Sequence, residues 1–314
     1  MGGSRVKLAT VENGTVIESE MFTVSSEGFT GTLAELERRV SAMRARHPGE
    51  WDGIGIALPG IIDEERGRVL SCNDKHAGVE NVDIFAWARE RLSLPCRVIN
   101  DARAALLGEL NFGCAKGEQN AVMMILGTGV GTSAVCRGKI ERGVHGTAGL
   151  LGGHFPIQFE GGRKCNCGGE GCLEAYVGTW ALKEMAGDAD YDYRRFAEDY
   201  AKGDEKSRRL FATVSTALGA GALALVHLYD AETVIWSGGA SHFAPLLDAA
   251  QEYVWAHSWT PWGKVRFVVA DNPEASVVLG LHALFAKVGT KREVKRHCIF
   301  GCGMLAKTID SAPI

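Results

Sequence analysis

The stretch AVMMILGTGVGTSAVCRG, residues 121–138, decides the fold class of this chain. An apolar run at 121–126 and a second β-like run flank the glycine-rich turn LGTGVGT at 126–132, which predicts strand, turn and strand. Backbone N–H groups of such a turn can converge on an anion, with threonine hydroxyls as further donors. The pattern indicates either a phosphate cradle or an ordinary glycine-rich β-hairpin, and by itself does not separate the two.

Outward from this turn, the hydrophobic period alternates between two and 3.6 residues, which favours α/β layers. Two β-like runs between residues 6 and 24 flank Asn13-Gly14, a dipeptide suited to a type I′ hairpin. Thr32 and Glu35 form a capping box that predicts a helix ending at about residue 47. Further strands are predicted at 53–58, 98–100 and 233–236, and further helices at 102–112, 179–186, 192–202, 206–229, 242–256 and 276–287.

Composition narrows the functional class. The 314 residues allow about two domains. The 34 Lys and Arg against 38 Asp and Glu give a net charge of −4, without the basic excess typical of nucleic-acid binding. The 40 glycines are about twice the usual share, as in proteins whose backbone approaches a ligand closely. Apolar runs are broken well before about 18 residues, so we expect a cytoplasmic protein without a membrane segment.

The nine cysteines fall into different groups. Four of them are scattered through core-like segments and are predicted to be reduced, buried thiols: Cys72, Cys96, Cys114 and Cys136. Four potential ligands lie within 19 residues in the stretch HFPIQFEGGRKCNCGGEGCLE: His154, Cys165, Cys167 and Cys172. This Cys₃His set predicts a closed, structural Zn²⁺ site, with three buried or redox-active thiols as the alternative.

Two further turns follow apolar strands at places where α/β sheets bind ligands. The turn SGGA at 237–240 indicates either a ligand site or a tight β-to-α turn. Asn100-Asp101 precedes a predicted helix, so Asp101 is either a general base for a hydroxyl or a helix N-cap. Glu109, later in that helix, is predicted to lie on the helical surface, either solvated or paired with the chain, and not to be reactive.

Residues from 289 onward contain the basic run KREVKR and no clear apolar periodicity, so we expect a solvated tail at 289–314. His297, Cys298 and Cys302 in this region lack a fourth potential ligand, which disfavours a second metal site.

Taken together, these motifs resemble the ROK sugar kinases and repressors of the actin-like ATPase superfamily over about residues 2–288. GGSRVKLATV at 2–11 and LGTGVGTSAV at 126–135 resemble the two phosphate loops. GIGIALPGIID at 53–63 resembles the segment that lines the sugar pocket, and INDARAALLGE at 99–109 the stretch with the catalytic Asp. CNCGGEGCLE at 165–174 resembles the zinc motif and VIWSGGA at 234–240 the adenosine-side loop.

The resemblance implies two ribonuclease-H-like α/β domains with a cleft between them, and ATP-dependent phosphorylation of a sugar hydroxyl with Mg²⁺ on the nucleotide phosphates. By position, Asp101 would be the general base. The implied sugar-binding residues are Pro59, Gly60, Asn100, Asp101, His154 and Glu174, with His154 also a zinc ligand. The implied nucleotide-binding residues are Gly2, Gly3, Ser4, Gly127, Thr128, Gly129, Gly131, Gly238 and Gly239. We expect domains at 1–115 and 116–288, the second with the zinc loop 154–172.

The sequence departs from the family pattern at two places. The family has a strand and an Asp directly before Gly2-Gly3, which would leave a strand lost from inside the N-terminal sheet. Either the start of this chain is trimmed or misassigned, which we expect, or the polypeptide is impaired. In AGLLGGH at 148–154, Leu150 or Leu151 stands where the family has a sugar-binding Glu. Losing that carboxylate removes about 1–3 kcal/mol of discrimination, so a glucose preference does not carry over.

The expected substrate is therefore a hexose, an N-acetylhexosamine or a related polyol. The alternatives are a non-catalytic protein that binds sugar or nucleotide and, less favoured, a sugar-responsive regulator. The resemblance also implies a homo-oligomer, dimer or tetramer, and no membrane or nucleic-acid partner.

Overall fold

The computed structural model describes residues 5–72, 78–285 and 296–301. Its strands are β1 Arg5–Glu12, β2 Thr15–Thr23, β3 Trp51–Leu58, β4 Ile61–Asp63, β5 Arg68–Ser71, β6 Cys96–Asn100, β7 Ala121–Leu126, β8 Val130–Cys136, β9 Lys139–Ile140, β10 Thr233–Ser237, β11 Arg266–Val269 and β12 Arg296–Gly301. Its α-helices are α1 Phe29–Arg46, α2 Ile84–Trp87, α3 Asp101–Phe112, α4 Glu174–Val177, α5 Thr179–Ala186, α6 Tyr193–Ala201, α7 Glu205–Tyr229, α8 Ala244–His257 and α9 Pro273–Ala283. Short 3₁₀ turns cover Val79–Asn81, Leu151–His154 and Gly239–His242, and a π turn covers Ala88–Leu92.

The chain forms two compact units. Of the described residues, unit 1 comprises those within 5–117, Arg142–Thr147 and those between 271 and 301. Unit 2 comprises Glu118–Glu141 and Ala148–Ala270. The expected domains at 1–115 and 116–288 are continuous, whereas each unit is built from separate segments of the chain. Residues 142–147 and the segment with α9 belong to unit 1, where α9 packs on α3.

The sheet of unit 1 has the order β2-β1-β12-β3-β6. The Asn13-Gly14 hairpin between β1 and β2 is confirmed, with both turn residues at positive φ. β12 lies between β1 and β3, antiparallel to the first and parallel to the second. Residues 296–301 therefore supply an interior strand of this sheet, where we expected a strand to be missing.

The prediction of a solvated tail is wrong for β12. His297, Cys298 and Ile299 are completely buried, because the strand has sheet neighbours on both edges and cores on both faces. The basic run had suggested solvent exposure. Its last residue, Arg296, lies at the strand's start and donates to Glu12 Oε1 at 3.0 Å and to the Pro48 carbonyl at 2.7 Å. Cys302 lies outside the described residues.

Two local predictions in unit 1 also need correction. Helix α1 begins at Phe29 with Gly28 as its N-cap, and Thr32 lies inside the helix, where its hydroxyl donates to the Gly28 carbonyl. The capping box is therefore absent. Glu109 is buried and not on a solvated surface; it is paired with the chain, as the alternative had it, and accepts hydrogen bonds from the Cys114 backbone and the Ser276 hydroxyl where α3 meets α9.

The sheet of unit 2 has the order β11-β10-β7-β8-β9. The β7–β8 hairpin predicted from residues 121–138 is confirmed, and β10 pairs with β7 in parallel. Helix α7, within the described residues, is long and apolar enough to cross a membrane by length and composition alone. Leu218, Leu225 and Val226 are among the residues of α7 that are buried in the core of unit 2, as in a core helix, whereas Leu228 is exposed.

The four scattered cysteines are thiols, and no disulfide occurs among the residues described. Cys72 is buried as predicted, whereas Cys96, Cys114 and Cys136 are only half-buried. Burial nevertheless raises the pKa of Cys96 and Cys114 to about 12, so both stay protonated at neutral pH.

Candidate active site

The turn from β6 into α3 separates the roles of its two polar residues. Asn100 is the N-cap of α3, because its Oδ1 accepts from the backbone N–H of Ala102 at 2.8 Å and of Arg103 at 3.3 Å. Asp101 follows as the first residue of the helix, and its Oδ1 accepts from the same Ala102 N–H at 2.9 Å. The cap that was the alternative role for Asp101 is therefore supplied by its neighbour. Asp101 is half-buried at the carboxyl end of a sheet strand.

The Pro59-Gly60 turn lies against this same strand end. Asn100 Nδ2 donates to the Gly60 carbonyl at 2.9 Å. Gly60 has a φ of 92°, and a Cβ there would lie 2.1 Å from the Ser71 carbonyl oxygen, so only glycine fits. The structure thus brings together four of the residues that the resemblance assigned to sugar binding, all within unit 1.

In unit 2, the glycine-rich turn between β7 and β8 is held by neighbouring helices. The Gly127 carbonyl accepts from the Thr179 backbone N–H at 3.0 Å and from its hydroxyl at 2.8 Å, at the start of α5. Glu174 Oε2 accepts from Val130 N–H at 2.9 Å, and a Cβ on Gly129 would lie 2.3 Å from that oxygen. Close approach to Glu174, and not left-handed backbone, therefore explains the glycine at position 129.

The second glycine turn of unit 2 lies beside the first. β10 pairs in register with β7, so Gly238 follows directly beside Leu126. Gly238 has a φ of 87°, and a Cβ there would lie 2.5 Å from the Leu126 carbonyl oxygen. The predicted nucleotide-binding residues of the two turns thus lie at the same end of this sheet, just after the carboxyl ends of β7 and β10. Gly2, Gly3 and Ser4 lie outside the described residues.

The four predicted metal ligands converge. One ligand atom from each of His154, Cys165, Cys167 and Cys172 lies within 4.8 Å of all the others. His154 Nδ1 is 3.6 Å from Cys165 Sγ, and Cys167 Sγ is 3.7 Å from Cys172 Sγ. Zinc–sulfur bonds of about 2.3 Å and zinc–nitrogen bonds of about 2.0–2.1 Å in a tetrahedron give separations of about 3.6–3.8 Å. These two separations therefore fit a tetrahedral Zn²⁺, and the distance between Cys167 Sγ and Cys172 Sγ is too long for a disulfide.

Packing on β8 positions His154. The Thr132 hydroxyl donates to the Gly149 carbonyl at 2.7 Å and accepts from Gly152 N–H at 2.9 Å. A Cβ on Gly153 would lie 2.2 Å from the Val130 carbonyl oxygen, so the 3₁₀ turn before His154 presses directly onto the strand. Thr132 therefore helps to position His154, whereas the sequence suggested its hydroxyl as a further donor to an anion.

Glu174 has a different environment from the one its predicted sugar-binding role suggests. Its Oε2 accepts from Val130 N–H, and its Oε1 accepts from Trp180 Nε1 at 3.2 Å. Each carboxylate oxygen has a further lone pair, so the group can still accept a substrate hydroxyl. Its observed contacts tie the glycine-rich turn to the helices that follow the metal cluster. Trp180 and Thr179 gave no signal in the sequence, since both resemble ordinary helix residues.

This chain is similar to proteins of one known family. The sequence model of the ROK family matches residues 1–288. A glucokinase from Halalkalibacterium halodurans is 33% identical over 212 residues, which are 64% of this chain and 62% of that protein. The xylose repressor of Bacillus subtilis is 35% identical over 130 residues, 41% of this chain and 33% of the repressor. The matches therefore span less than two thirds of these relatives.

A solved structure extends the comparison to nearly the whole chain. The crystal structure of a ROK hexokinase from Thermus thermophilus superposes with a TM-score of 0.77 at 27% identity, covering 91% of this chain and 95% of that one. The predicted α/β fold class, two ribonuclease-H-like domains of the actin-like ATPase type, is confirmed.

Proposed function

The chain belongs to the ROK family, and on that premise we propose that it is an ATP-dependent sugar kinase in which Asp101 is the general base. The observation that carries the proposal is the β6–α3 turn. Because Asn100 supplies the helix cap, the Asp101 carboxylate stands at the strand end without being required for capping. A positioned carboxylate of this kind accelerates proton transfer from a hydroxyl.

In the proposed reaction, a sugar hydroxyl oxygen attacks the γ-phosphorus of ATP. Its proton passes to the Asp101 carboxylate, the new O–P bond forms, and the bond to the β–γ bridging oxygen breaks to release ADP. Mg²⁺, carried on the nucleotide phosphates, would neutralise part of their charge. Gly127 N–H already donates to the Gly129 carbonyl and Val130 N–H to Glu174, so other backbone N–H groups of this turn, with those at Gly238-Gly239, would donate to the nucleotide and position it.

Sugar binding is assigned to residues around these two places. Asn100 Nδ2 keeps one hydrogen after its bond to Gly60, and can donate it to a sugar hydroxyl. His154 turns its Nδ1 towards Cys165, which leaves Nε2 for a hydroxyl. Glu174 accepts through its remaining lone pairs.

The four-ligand cluster would hold a structural Zn²⁺. All four positions of a tetrahedron are supplied by protein, so the ion would stabilise the loop and no bound water would be activated there. Burial raises the pKa of the Cys165 thiol to about 12, so zinc binding would have to displace its proton.

The substrate is proposed as a hexose, an N-acetylhexosamine or a related polyol. Leu150 is half-buried and Leu151 is 44% exposed, so neither offers the carboxylate of the family pattern. The test is ADP formation with Mg²⁺ and ATP over a panel of these sugars, with the phosphorylated sugar identified by mass. Turnover of at least one sugar supports the proposal, and ADP release that is independent of every sugar contradicts it.

Sugar binding without turnover is the second candidate, and the similarity to a repressor together with the two leucines favours it. Tryptophan fluorescence separates the candidates, since Trp180 contacts Glu174. A fluorescence change with a sugar that yields no ADP would favour the binding protein.

A further inference from the structure

Arg103 is the most deeply buried charged side chain in the described part of unit 1. Its relative exposure is 0%, and it lies in the first turn of α3, two residues after Asp101. A guanidinium is tolerated in a protein interior only when a carboxylate and further hydrogen bonds compensate its lost hydration. Glu64, just after β4, supplies the carboxylate, with Oε1 at 2.8 Å from Arg103 Nη1.

Glu64 uses its second oxygen for another arginine. Its Oε2 lies 2.8 Å from Arg142 Nε, and Arg103 Nη2 donates to the Arg142 carbonyl at 3.5 Å. The carboxylate, 15% exposed, therefore joins three separate chain segments: the turn after β4, the first turn of α3 and the segment Arg142–Thr147.

The chain passes from unit 2 into unit 1 for the short segment Arg142–Thr147 and then returns to unit 2. A Cβ on Gly146 would lie 2.9 Å from the Ile62 carbonyl oxygen, so the segment packs closely on β4. It leads directly into residues 148–154, which end at His154.

The same network reaches the proposed base through the backbone. Arg103 N–H is one of the two donors to the Asn100 cap, and Ala102 N–H binds both Asn100 and Asp101. A shift of the Arg103 side chain therefore moves the turn that carries Asp101. Apolar replacement of a buried ion pair is often neutral for stability, so stability alone does not account for the charges at this place.

We infer that Glu64 is a positioning residue: through Arg103 it fixes the turn that carries Asp101, and through Arg142 it holds segment 142–147 against the same unit. This inference rests on the proposed function, because positioning matters only if Asp101 takes part in a reaction. The two ion pairs of Glu64 have separate consequences. The pair with Arg103 governs kcat, and the pair with Arg142 governs the KM for the sugar through the residues that lead to His154.

The test compares Glu64→Gln and Arg142→Gln with the matched control Glu65→Gln, an exposed neighbour of Glu64. The readouts are kcat, the KM values for sugar and ATP, and amide hydrogen exchange at residues 101–105 and 142–147. Glu64→Gln is expected to lower kcat at least about tenfold and to speed exchange at both places, because sub-ångström misplacement of a base is costly. Arg142→Gln is expected to raise the sugar KM severalfold with kcat within about twofold, and Arg142→Lys to restore part of the loss.

Kinetics of Glu64→Gln equal to those of Glu65→Gln would overturn the positioning role, whatever the exchange shows. If Glu64→Gln does not fold, the Arg142 variants decide, since that side chain is 45% exposed: an unchanged sugar KM overturns the inference. If the wild type phosphorylates no sugar, the proposed function fails separately. The exchange rates then test the network, and Glu64→Gln rates equal to wild type overturn it.

Discussion

The two sheets differ in the origin of their middle strands. In unit 2 the middle strand is β7, whose partner β8 follows it in the chain after the turn at 127–129. In unit 1 the middle strand is β12, residues 296–301, which pairs with β1 from residues 5–12. One sheet is organised around a local hairpin and the other around a pairing between distant parts of the chain.

This difference explains which parts of the fold could be predicted. Alternating apolar residues around LGTGVGT and around Asn13-Gly14 are local signals, and both hairpins were predicted correctly. β12 follows a run of basic residues and is only six residues long, so no local pattern distinguished it from a solvated tail. Its burial comes from partners that single-sequence periodicity does not identify.

The candidate sites also differ in whether their residues lie close together or far apart in the sequence. The four metal ligands lie within 19 residues, and their convergence was predictable from spacing alone. The Arg103–Glu64–Arg142 network joins distant residues, since Glu64 and Arg142 each lie 39 positions from Arg103 and 78 positions from each other, and nothing near Glu64 in the sequence indicates a partner. The Asn100 cap is an intermediate case: capping was one of the two roles that the sequence left open for Asp101, and the structure gives the N-cap to Asn100.

The largest expected effect concerns the local site of unit 2. Cys172→Ser removes one of four ligands, and with Zn²⁺ about 1,000-fold above its Kd the lost binding lowers the free energy of unfolding by about 4 kcal/mol. Hydrogen exchange should speed up in unit 2 and stay unchanged in β1 and β3. The matched control is Cys136→Ser, a half-buried cysteine of unit 2 outside the cluster. Equal zinc content and stability in the two variants would contradict a metal site.

The next effect tests the distant pairing of unit 1. Ile299 is completely buried in β12 and pairs in register with Ala9 of β1. Ile299→Ala is expected to lower the free energy of unfolding by about 3 kcal/mol through lost burial and a cavity. Val16→Ala on the exposed edge strand β2 should change it by less than about 0.5 kcal/mol. Chemical denaturation measures both, and an equally small effect of the two substitutions would show that β12 does not hold the sheet.

A smaller effect concerns a buried histidine pair that joins β12 to α9. Gly14 N–H donates to His282 Nε2 at 3.0 Å, so His282 carries its proton on Nδ1. His282 Nδ1 lies 3.1 Å from His297 Nδ1, which must then accept, so His297 carries its proton on Nε2, 3.8 Å from Asp52 Oδ2. With the protons in these places both imidazoles are neutral, because a further proton on either ring would remove the nitrogen that accepts one of these two hydrogen bonds.

Burial lowers the pKa of His297 to about 3, with a further contribution from His282, and burial also lowers the pKa of His282 against the opposing effect of Asp52. The unfolded chain therefore binds more protons below pH 6.5, and stability falls as the pH drops from about 6.5 towards 3. At pH 5 the loss from His297 is about 2 kcal/mol relative to neutral pH.

Chemical denaturation between pH 7.5 and 5 measures this loss. In His297→Gln, whose amide oxygen can still accept from His282, the part due to His297 should disappear. The control His257→Gln removes an exposed histidine and should keep the wild-type slope. A slope that is identical in both variants would contradict the proton order.

A comparison of two isosteric substitutions at helix starts tests whether the β6–α3 turn of unit 1 presents a general base. Asp101→Asn removes the proposed base and keeps an oxygen for Ala102 N–H. Asp83→Asn alters the N-cap carboxylate of α2, which accepts from Ala86 N–H at 2.9 Å. With the best sugar of the panel, kcat should fall by about 10²–10⁴-fold in Asp101→Asn and stay within about twofold of wild type in Asp83→Asn. A kcat of Asp101→Asn within about threefold of wild type would contradict the assignment.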